Sequence, residues 1–323
     1  MVSQGYQQPE IRSILIIILL VSLALVLPGV QWSLFGWTYI LLPLFAFFLF
    51  GRFGGSTGKK LLLTAAAISL VANLLLGSFD LFLFSSAMLL PGFVLHRSAD
   101  RGELPSLSGL KGCLALTGGW LIALAITAAG SEVSVYSQML LTLDQALTEA
   151  LAQYRQSDGI SAEALVVIDA TITQMKVVIP AIMPGILGSI VLFITWMTMV
   201  LGNILLARTS GFTAWPNFRR WSLPEKLIWA VIAMGTLILI PVEPLPRIGI
   251  NCILLLMIIY CFQGLSITVF FMNKWKVPLL LRSFFYVMII FQSLGTLVLL
   301  FFGIADIWLD FRKLKTDAAT GNS

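Results

Sequence analysis

Long stretches without a charged residue recur along the chain, and short polar segments separate them. The stretches cover residues 13–50, 61–79, 112–131, 177–207, 227–242, 248–273 and 283–305. A helix needs about 20 apolar residues to cross a bilayer, so several of them are long enough by themselves. Because backbone polar groups inside a bilayer have to be bonded within the protein, these stretches predict helices.

The order of the stretches predicts an all-α, polytopic helical membrane protein with eight or nine transmembrane helices. A segment that we call the elbow, residues 208–229, holds four basic residues, one acid and three tryptophans. Such a basic, Trp-rich loop between apolar helices is typical of a cytoplasmic interface. The elbow separates a front transmembrane half of six helices (1–208) from a back half of three hydrophobic segments (209–312). A polar tail (313–323) follows.

Residues 131–176 predict an external amphipathic helical hairpin. Apolar residues recur at helical spacing within 136–154 and again within 165–175. Ser157, Asp158 and Gly159 form the predicted turn, and Ser161 is placed to cap the second helix. The apolar face of the hairpin either covers a pocket as a lid or lies on neighbouring helices or on the membrane.

Composition supports the membrane class and argues against others. Of the 323 residues, 59% are hydrophobic and 11% are charged, against roughly 25% charged residues in soluble domains. The net charge of +5 comes from basic loops between apolar stretches, so the expected partner is the lipid bilayer and not a nucleic acid. The three cysteines lie in apolar stretches, which predicts no disulfide framework. With a single histidine, we expect no metal site and no cofactor.

Charge also predicts sidedness. Basic residues concentrate in the loops at 51–60, 97–111, 208–226 and 273–282, whereas residues 131–176 carry mostly acids. The positive-inside rule then places the N-terminus and the basic loops of this multi-pass protein in the cytoplasm. Nine crossings put the C-terminus outside, although its basic residues favour the inside. The choice between eight and nine crossings, and with it the side of the C-terminus, stays open.

Polar residues within the apolar stretches are candidates for contacts with a ligand or with a facing helix: Asn73, Asn203, Asn251, Tyr260, Gln263 and Gly264. The last three lie close together in one helix, where the glycine permits close approach of another backbone. A packing bond and a ligand contact both fit this pattern. In the elbow, Arg219, Arg220 and Trp221 are candidates for a cytoplasmic interface.

One set of residues in the back half carries a resemblance to a known family: Trp215, Phe218, Trp221, Ser222, Leu223, Pro224, Trp229, Asn251, Tyr260, Gln263, Gly264, Leu265, Gly303, Ile304, Ala305, Asp306, Asp310, Phe311, Arg312 and Lys313. On these residues the chain resembles the YybS-like family of uncharacterised bacterial membrane proteins. The resemblance implies a protein of the bacterial inner membrane with no assigned activity.

The front half carries a second, weaker similarity. Pro43 precedes Gly51 and Gly54 at the end of one apolar segment, and Pro91 with Gly92 closes another. In these features it is similar to the substrate-binding subunits of energy-coupling-factor vitamin transporters. That similarity implies binding of a small solute, although the helices of the back half lie outside its pattern.

Two functions follow as alternatives. A solute-binding or transport component without its own ATPase explains the intramembrane amides and the lid-like hairpin. A non-transporting scaffold, or a partner subunit of a cell-envelope or signalling assembly, explains the basic elbow. An enzyme is not expected, because no helix interior carries a set of ionisable residues suited to acid-base or metal chemistry.

The predicted sidedness can be tested with single cysteines at Ser157 and Thr213, in a background without the three native cysteines. An impermeant thiol reagent applied to intact cells should label position 157 and leave position 213 unlabelled. Lysed cells provide the control, because both positions should react there. The opposite labelling pattern would overturn the assignment.

Overall fold

The computed structural model describes residues 10–129, 135–157 and 159–313, and all regular elements within these ranges are helical. Short 3-10 turns cover Gly36–Leu41 and Phe218–Arg220. The α-helices are α1 (Ile11–Val30), α2 (Trp32–Phe35), α3 (Leu42–Leu75), α4 (Phe79–Ala87), α5 (Leu89–Asp100), α6 (Pro105–Ala128), α7 (Val135–Gln156), α8 (Ala162–Ser210), α9 (Leu227–Leu239), α10 (Leu245–Lys274), α11 (Leu279–Phe291) and α12 (Ser293–Leu309).

The predicted fold class is confirmed: the protein is an all-α polytopic membrane protein. Within the described ranges, six helical stretches are long and apolar enough to cross a membrane, and a seventh results if α11 and α12, bent by 99°, form one span. One of the six is the 44-residue stretch Trp32–Leu75. At 1.5 Å per residue this stretch is about twice as long as a bilayer core is thick. The expected number of crossings, eight or nine, therefore stays a prediction.

The basic loop expected at 51–60 is helical in the structure, since α3 continues through it. The helix breaks at one residue, Gly54, whose φ of 80° and ψ of 167° lie outside the helical region. The Arg52 guanidinium carbon lies 5.8 Å and 5.4 Å from the ring centres of Phe48 and Phe53. A positive φ strains an L side chain but not glycine, so the break falls at a residue that tolerates it.

Helices α7 and α8 form the helical hairpin predicted at 131–176, although its second helix is longer than expected. Residues 131–134 and the predicted turn residue Asp158 lie outside the described residues. Ser161 caps α8 by accepting a hydrogen bond from the Ala164 amide at 3.2 Å. The two arms are joined by ion pairs, Arg155 with Asp169 at 2.5 Å and Lys176 with Asp144 at 2.8 Å. No break follows at residue 176, so the hairpin arm and the next apolar stretch form a single helix of 49 residues. The predicted external position stays a prediction.

The described residues group into two compact units. The first unit comprises the residues up to Pro180 and the segment 193–215, and the second comprises residues 181–192 and those after 215. The division into residues 1–208 and 209–312, proposed from the sequence, stays a prediction.

The core of the first unit contains five buried side chains on four parts of the chain: Phe47, Leu95, Ala99, Leu206 and Trp215. The rings of Phe47 and Trp215 stack, with centres 5.4 Å apart and planes inclined by 16°. The Trp215 indole nitrogen donates to the Ser108 hydroxyl at 3.1 Å. The end of the elbow nearest α8 is therefore held against α6 by both packing and a hydrogen bond.

The loop between α5 and α6 is fixed by a carboxylate. The Lys111 ammonium lies 2.5 Å from the Glu103 carboxylate. Together with a hydrogen bond from Ser98, it lowers the pKa of Glu103. A lowered pKa means that the carboxylate is favoured in the folded state. This contribution to stability is present above the ordinary pKa of a glutamate and is lost as the pH falls through the lowered value.

Gly92 has the closest neighbours among the described glycines of the first unit. A Cβ there would lie 2.3 Å from the Pro43 carbonyl oxygen and 2.7 Å from the Phe47 amide nitrogen. Because both atoms belong to a helix backbone, neither can move away as the end of a side chain would. Packing of α5 against α3 thus requires glycine at this position.

We expect Gly92→Ala to destabilise the protein by about 1–3 kcal/mol, as overpacking does. Gly118→Ala is the matched control, since nothing lies within 4 Å of a Cβ at that position. Thermal unfolding in mild detergent measures both variants. Equal melting temperatures for the two variants would contradict the close packing of α5 on α3.

Candidate functional site

The intramembrane asparagine of the front half is a structural bridge. Asn73 is fully buried. Its amide nitrogen lies 2.9 Å from the Ser69 carbonyl oxygen and 3.4 Å from that of Leu25, so it joins α3 to α1. Its amide oxygen accepts from the Ser78 hydroxyl at 2.9 Å. Donor and acceptor both have protein partners in this arrangement.

Asn203 organises the chain where α8 ends. Its amide oxygen accepts from the main-chain nitrogens of Ala214 and Trp215 at 2.7 Å and 3.2 Å. Its amide nitrogen donates to the Trp215 carbonyl at 3.0 Å. After Gly211, with a left-handed φ of 69°, the chain folds back along the helix. Asn203 pairs the main-chain groups that this reversal leaves without helical partners.

Asn251 likewise pairs main-chain groups, here in the part of α8 that contains prolines. In a regular helix the amide of Gly185 would bond to the carbonyl of Ala181. Asn251 accepts from that amide at 2.5 Å and donates to that carbonyl at 2.8 Å. Its amide thus spans the α8 backbone beside Pro184, where a ring without an N–H disturbs the ladder.

In the second unit, α10 and α12 touch through their backbones. A Cβ on Gly264 would lie 1.9 Å from the Leu299 carbonyl oxygen, and one on Gly303 would lie 2.0 Å from that of Tyr260. Each helix therefore supplies one glycine opposite main-chain atoms of the other, as close helix pairs in membranes do. The structure thus places the candidate Gly264 at a helix crossing.

A buried ion pair lies beside this crossing. Asp306, on α12, accepts from the Gln263 amide nitrogen at 2.7 Å and from the Arg312 guanidinium at 2.9 Å, both at the same oxygen. The side chains of Asp306 and Arg312 are 5% and 0% exposed. Its second oxygen accepts from the Phe311 amide at 3.0 Å. We call Tyr260, Gln263, Ser266, Asp306 and Arg312 the polar cluster.

Arg312 connects the polar cluster to the elbow. One of its terminal nitrogens contacts the main-chain carbonyls of Arg219 and Trp221 at 3.0 Å and 2.9 Å, and the Ser266 hydroxyl at 2.8 Å. Ser266 lies 2.8 Å from the Phe218 carbonyl. The guanidinium charge is thereby balanced by one carboxylate and several carbonyl dipoles, as a buried charge requires.

The sequence did not identify Asp306 and Arg312 as site residues. Helix α12 ends at Leu309 and Asp310 adopts a left-handed φ of 38°, so the chain turns back and returns Arg312 to Asp306. A continued helix would instead have placed Asp306 and Asp310 on one face. The signal that was available is an acid at the end of an apolar stretch with a basic residue shortly after it.

Three buried polar atoms of the polar cluster have no hydrogen-bond partner among the described residues. They are the Tyr260 hydroxyl, the Gln263 amide oxygen and the Arg312 Nε. An unpaired buried polar group is costly, and in native proteins it often marks the place of a bound water, ion or ligand. Among the described residues, no group of three or more His, Cys, Asp or Glu side chains could hold a metal ion.

The interface candidates of the elbow are held by hydrogen bonds from the buried Arg312 to their main chain. The carbonyls of Arg219 and Trp221 accept from Arg312, and the Trp221 ring packs near the Phe218 ring, with centres 6.1 Å apart. The Arg220 side chain is exposed. The main chain of this part of the elbow is thus held in place while the Arg220 side chain remains at the surface.

Long apolar helices joined by buried amides and by a buried ion pair define a multi-pass helical membrane protein. The chain belongs to the family described as "Predicted membrane protein (DUF2232)", whose model matches residues 14–307. The resemblance to the YybS-like family is thereby confirmed. No curated protein and no solved structure matches the chain. The similarity of the front half to vitamin-binding subunits stays a prediction.

Removing either member of the buried pair of Asp306 and Arg312 tests its contribution to the free energy of unfolding. We expect Arg312→Met or Asp306→Leu alone to destabilise the protein by about 3–5 kcal/mol, because each leaves a buried charge unpaired. The double variant should recover much of that loss. Unfolding midpoints in detergent provide the measurement.

The exposed pair of Arg155 and Asp169 serves as the control for this cycle, with side chains 61% and 46% exposed. Arg155→Met should cost less than about 1 kcal/mol. If Arg312→Met costs no more than Arg155→Met, the ion pair does not stabilise the second unit.

Proposed function

We propose that the protein is a solute-binding component of a membrane transport system without an ATPase of its own, and that the polar cluster binds the solute. One observation carries the proposal: the cluster holds buried, unpaired hydrogen-bonding atoms on three of its residues, Tyr260, Gln263 and Arg312. Ionisable residues inside membrane helices commonly mark substrate or ion pathways. A solute that pairs these atoms would remove their desolvation cost.

The unpaired atoms determine which hydrogen-bonding groups the solute would need. The Gln263 oxygen accepts a hydrogen bond, the Arg312 Nε donates one, and the Tyr260 hydroxyl does either. Asp306 and Arg312 together carry no net charge, so the site has no electrostatic demand for an ion. A small molecule that has both donors and acceptors, neutral or zwitterionic, fits these requirements.

A second function is favoured by a different observation, the fixed main chain of the elbow. Arg312 and Ser266 bind the carbonyls of Phe218, Arg219 and Trp221. A loop that is already ordered loses less entropy when a partner binds. This supports a scaffold or partner subunit of an envelope or signalling assembly that presents the elbow to another protein.

A metabolite screen by thermal shift distinguishes the two functions. Under the solute-binding proposal, one compound should give a saturable shift, corresponding to about 2.7 kcal/mol at a hundredfold excess over its Kd. Gln263→Leu should remove that shift and keep the folded yield. A screen without any saturable shift, together with a stable co-purifying protein, would reject the solute site and favour the scaffold.

Two control variants separate ligand contact from packing. Gly264→Leu should reduce folded yield strongly, because its side chain would enter the α12 backbone. Gly235→Leu, at a position with nothing within 4 Å of a Cβ, should be tolerated. If Gln263→Leu lowers the yield as much as Gly264→Leu does, the glutamine serves packing alone.

A further inference from the structure

A basic groove lies in the second unit, and none of the side chains that line it belongs to the polar cluster. Its volume is about 310 Å³, at the lower end of the roughly 300–1,000 Å³ found for small-molecule pockets. The side chains that line it are Asn217, Arg219, Arg220, Phe270, Asn273 and Lys274. Three of them are cations and two are amides, so five of the six lining side chains carry a hydrogen-bond donor.

The positive charge of the groove comes from its two arginines and one lysine. Within the described part of the chain, none of the ion pairs within 4 Å involves Arg219, Arg220 or Lys274. Arginine pairs with phosphate oxygens through two parallel N–H bonds, and lysine adds a compact charge. The lining therefore suits an anion with several oxygens, such as a phosphate group.

Hydrogen bonds within the protein order Arg219 of the groove without a ligand. The Asn217 side-chain oxygen accepts from Arg219 Nε at 3.2 Å and orients that guanidinium. The main chain at Arg219 is fixed in turn, because its carbonyl accepts from the buried Arg312 at 3.0 Å. Held in this way, the Arg219 guanidinium loses less freedom when it binds an anion.

The surroundings of the groove indicate a lipid as the source of the phosphate. Trp275 directly follows the lysine of the groove and is 70% exposed, and Leu279 and Leu280 at the start of α11 are 79% and 83% exposed. Tryptophan is enriched where membrane meets water, and exposed leucines suit acyl chains. Clusters of basic residues beside membrane helices attract anionic headgroups.

From these observations we infer that the basic groove binds the phosphate group of an anionic phospholipid. The headgroup phosphate contacts Arg219, Arg220 and Lys274, and the acyl chains follow the exposed apolar start of α11. Bound in this way, the lipid fixes the elbow at the membrane surface that the sequence predicts to face the cytoplasm. The inference does not depend on the proposed solute site.

The test uses the full-length protein in mild detergent and dioctanoyl phosphatidylglycerol, with calorimetric titration as the measurement. The groove variant carries Arg219→Gln, Arg220→Gln and Lys274→Gln. The control variant removes the same charge outside the groove through Arg208→Gln, Lys226→Gln and Lys276→Gln. We expect saturable binding of the lipid to the wild-type protein. Because the groove variant loses charge-assisted hydrogen bonds, its affinity should fall by about tenfold or more, whereas that of the control should fall by less than about twofold.

Two outcomes would overturn the inference. Equal losses in the groove and control variants would show attraction by net charge alone. Inorganic phosphate that binds the groove as tightly as the lipid does would show a site for soluble phosphate instead. If the triple variant does not purify as a folded species, the single variants Arg220→Gln, at an exposed side chain, and Lys226→Gln repeat the comparison. Equal affinities of these two variants for the lipid would likewise reject the groove.

Discussion

Main-chain groups that helices cannot pair by themselves need partners in an apolar surrounding, and buried amide and guanidinium side chains supply them here. Asn203 serves the chain reversal after α8, Asn251 serves the proline-containing part of the same helix, and Arg312 serves the elbow. An unpaired main-chain group in a bilayer costs several kcal/mol, about as much as the net stability of many proteins. The polar residues of the apolar stretches are therefore first of all structural.

Much of the fold was predictable because it depends on local pattern. The helices follow from uncharged stretches, and the hairpin with its cap at Ser161 follows from apolar spacing and one hydroxyl residue. The helical path through residues 51–60 was not predictable, because glycines and lysines there are typical of loops. Gly51, Phe53, Gly54 and Gly58 are buried in this segment, so tertiary packing accompanies the helical path.

The candidate site was predictable only in part. A glutamine in an apolar helix has to find a partner, so Gln263 could be singled out from its surroundings alone. Its partner Asp306 and the return of Arg312 depend on a turn after α12, which has no local signature strong enough to predict it. Charges near a chain end are ordinarily solvated, and only tertiary structure reveals that this arginine is buried.

The crossing of α10 and α12 constrains how this sequence can vary. Because main-chain atoms of one helix face a glycine of the other at Gly264 and Gly303, the distance between the helix axes is set by covalent backbone geometry and not by side-chain size. Substitutions on the outer faces of both helices can accumulate without changing that distance. Tolerance to mutation is thus distributed very unevenly: two positions admit a hydrogen atom and nothing larger, while their outward-facing neighbours can change freely.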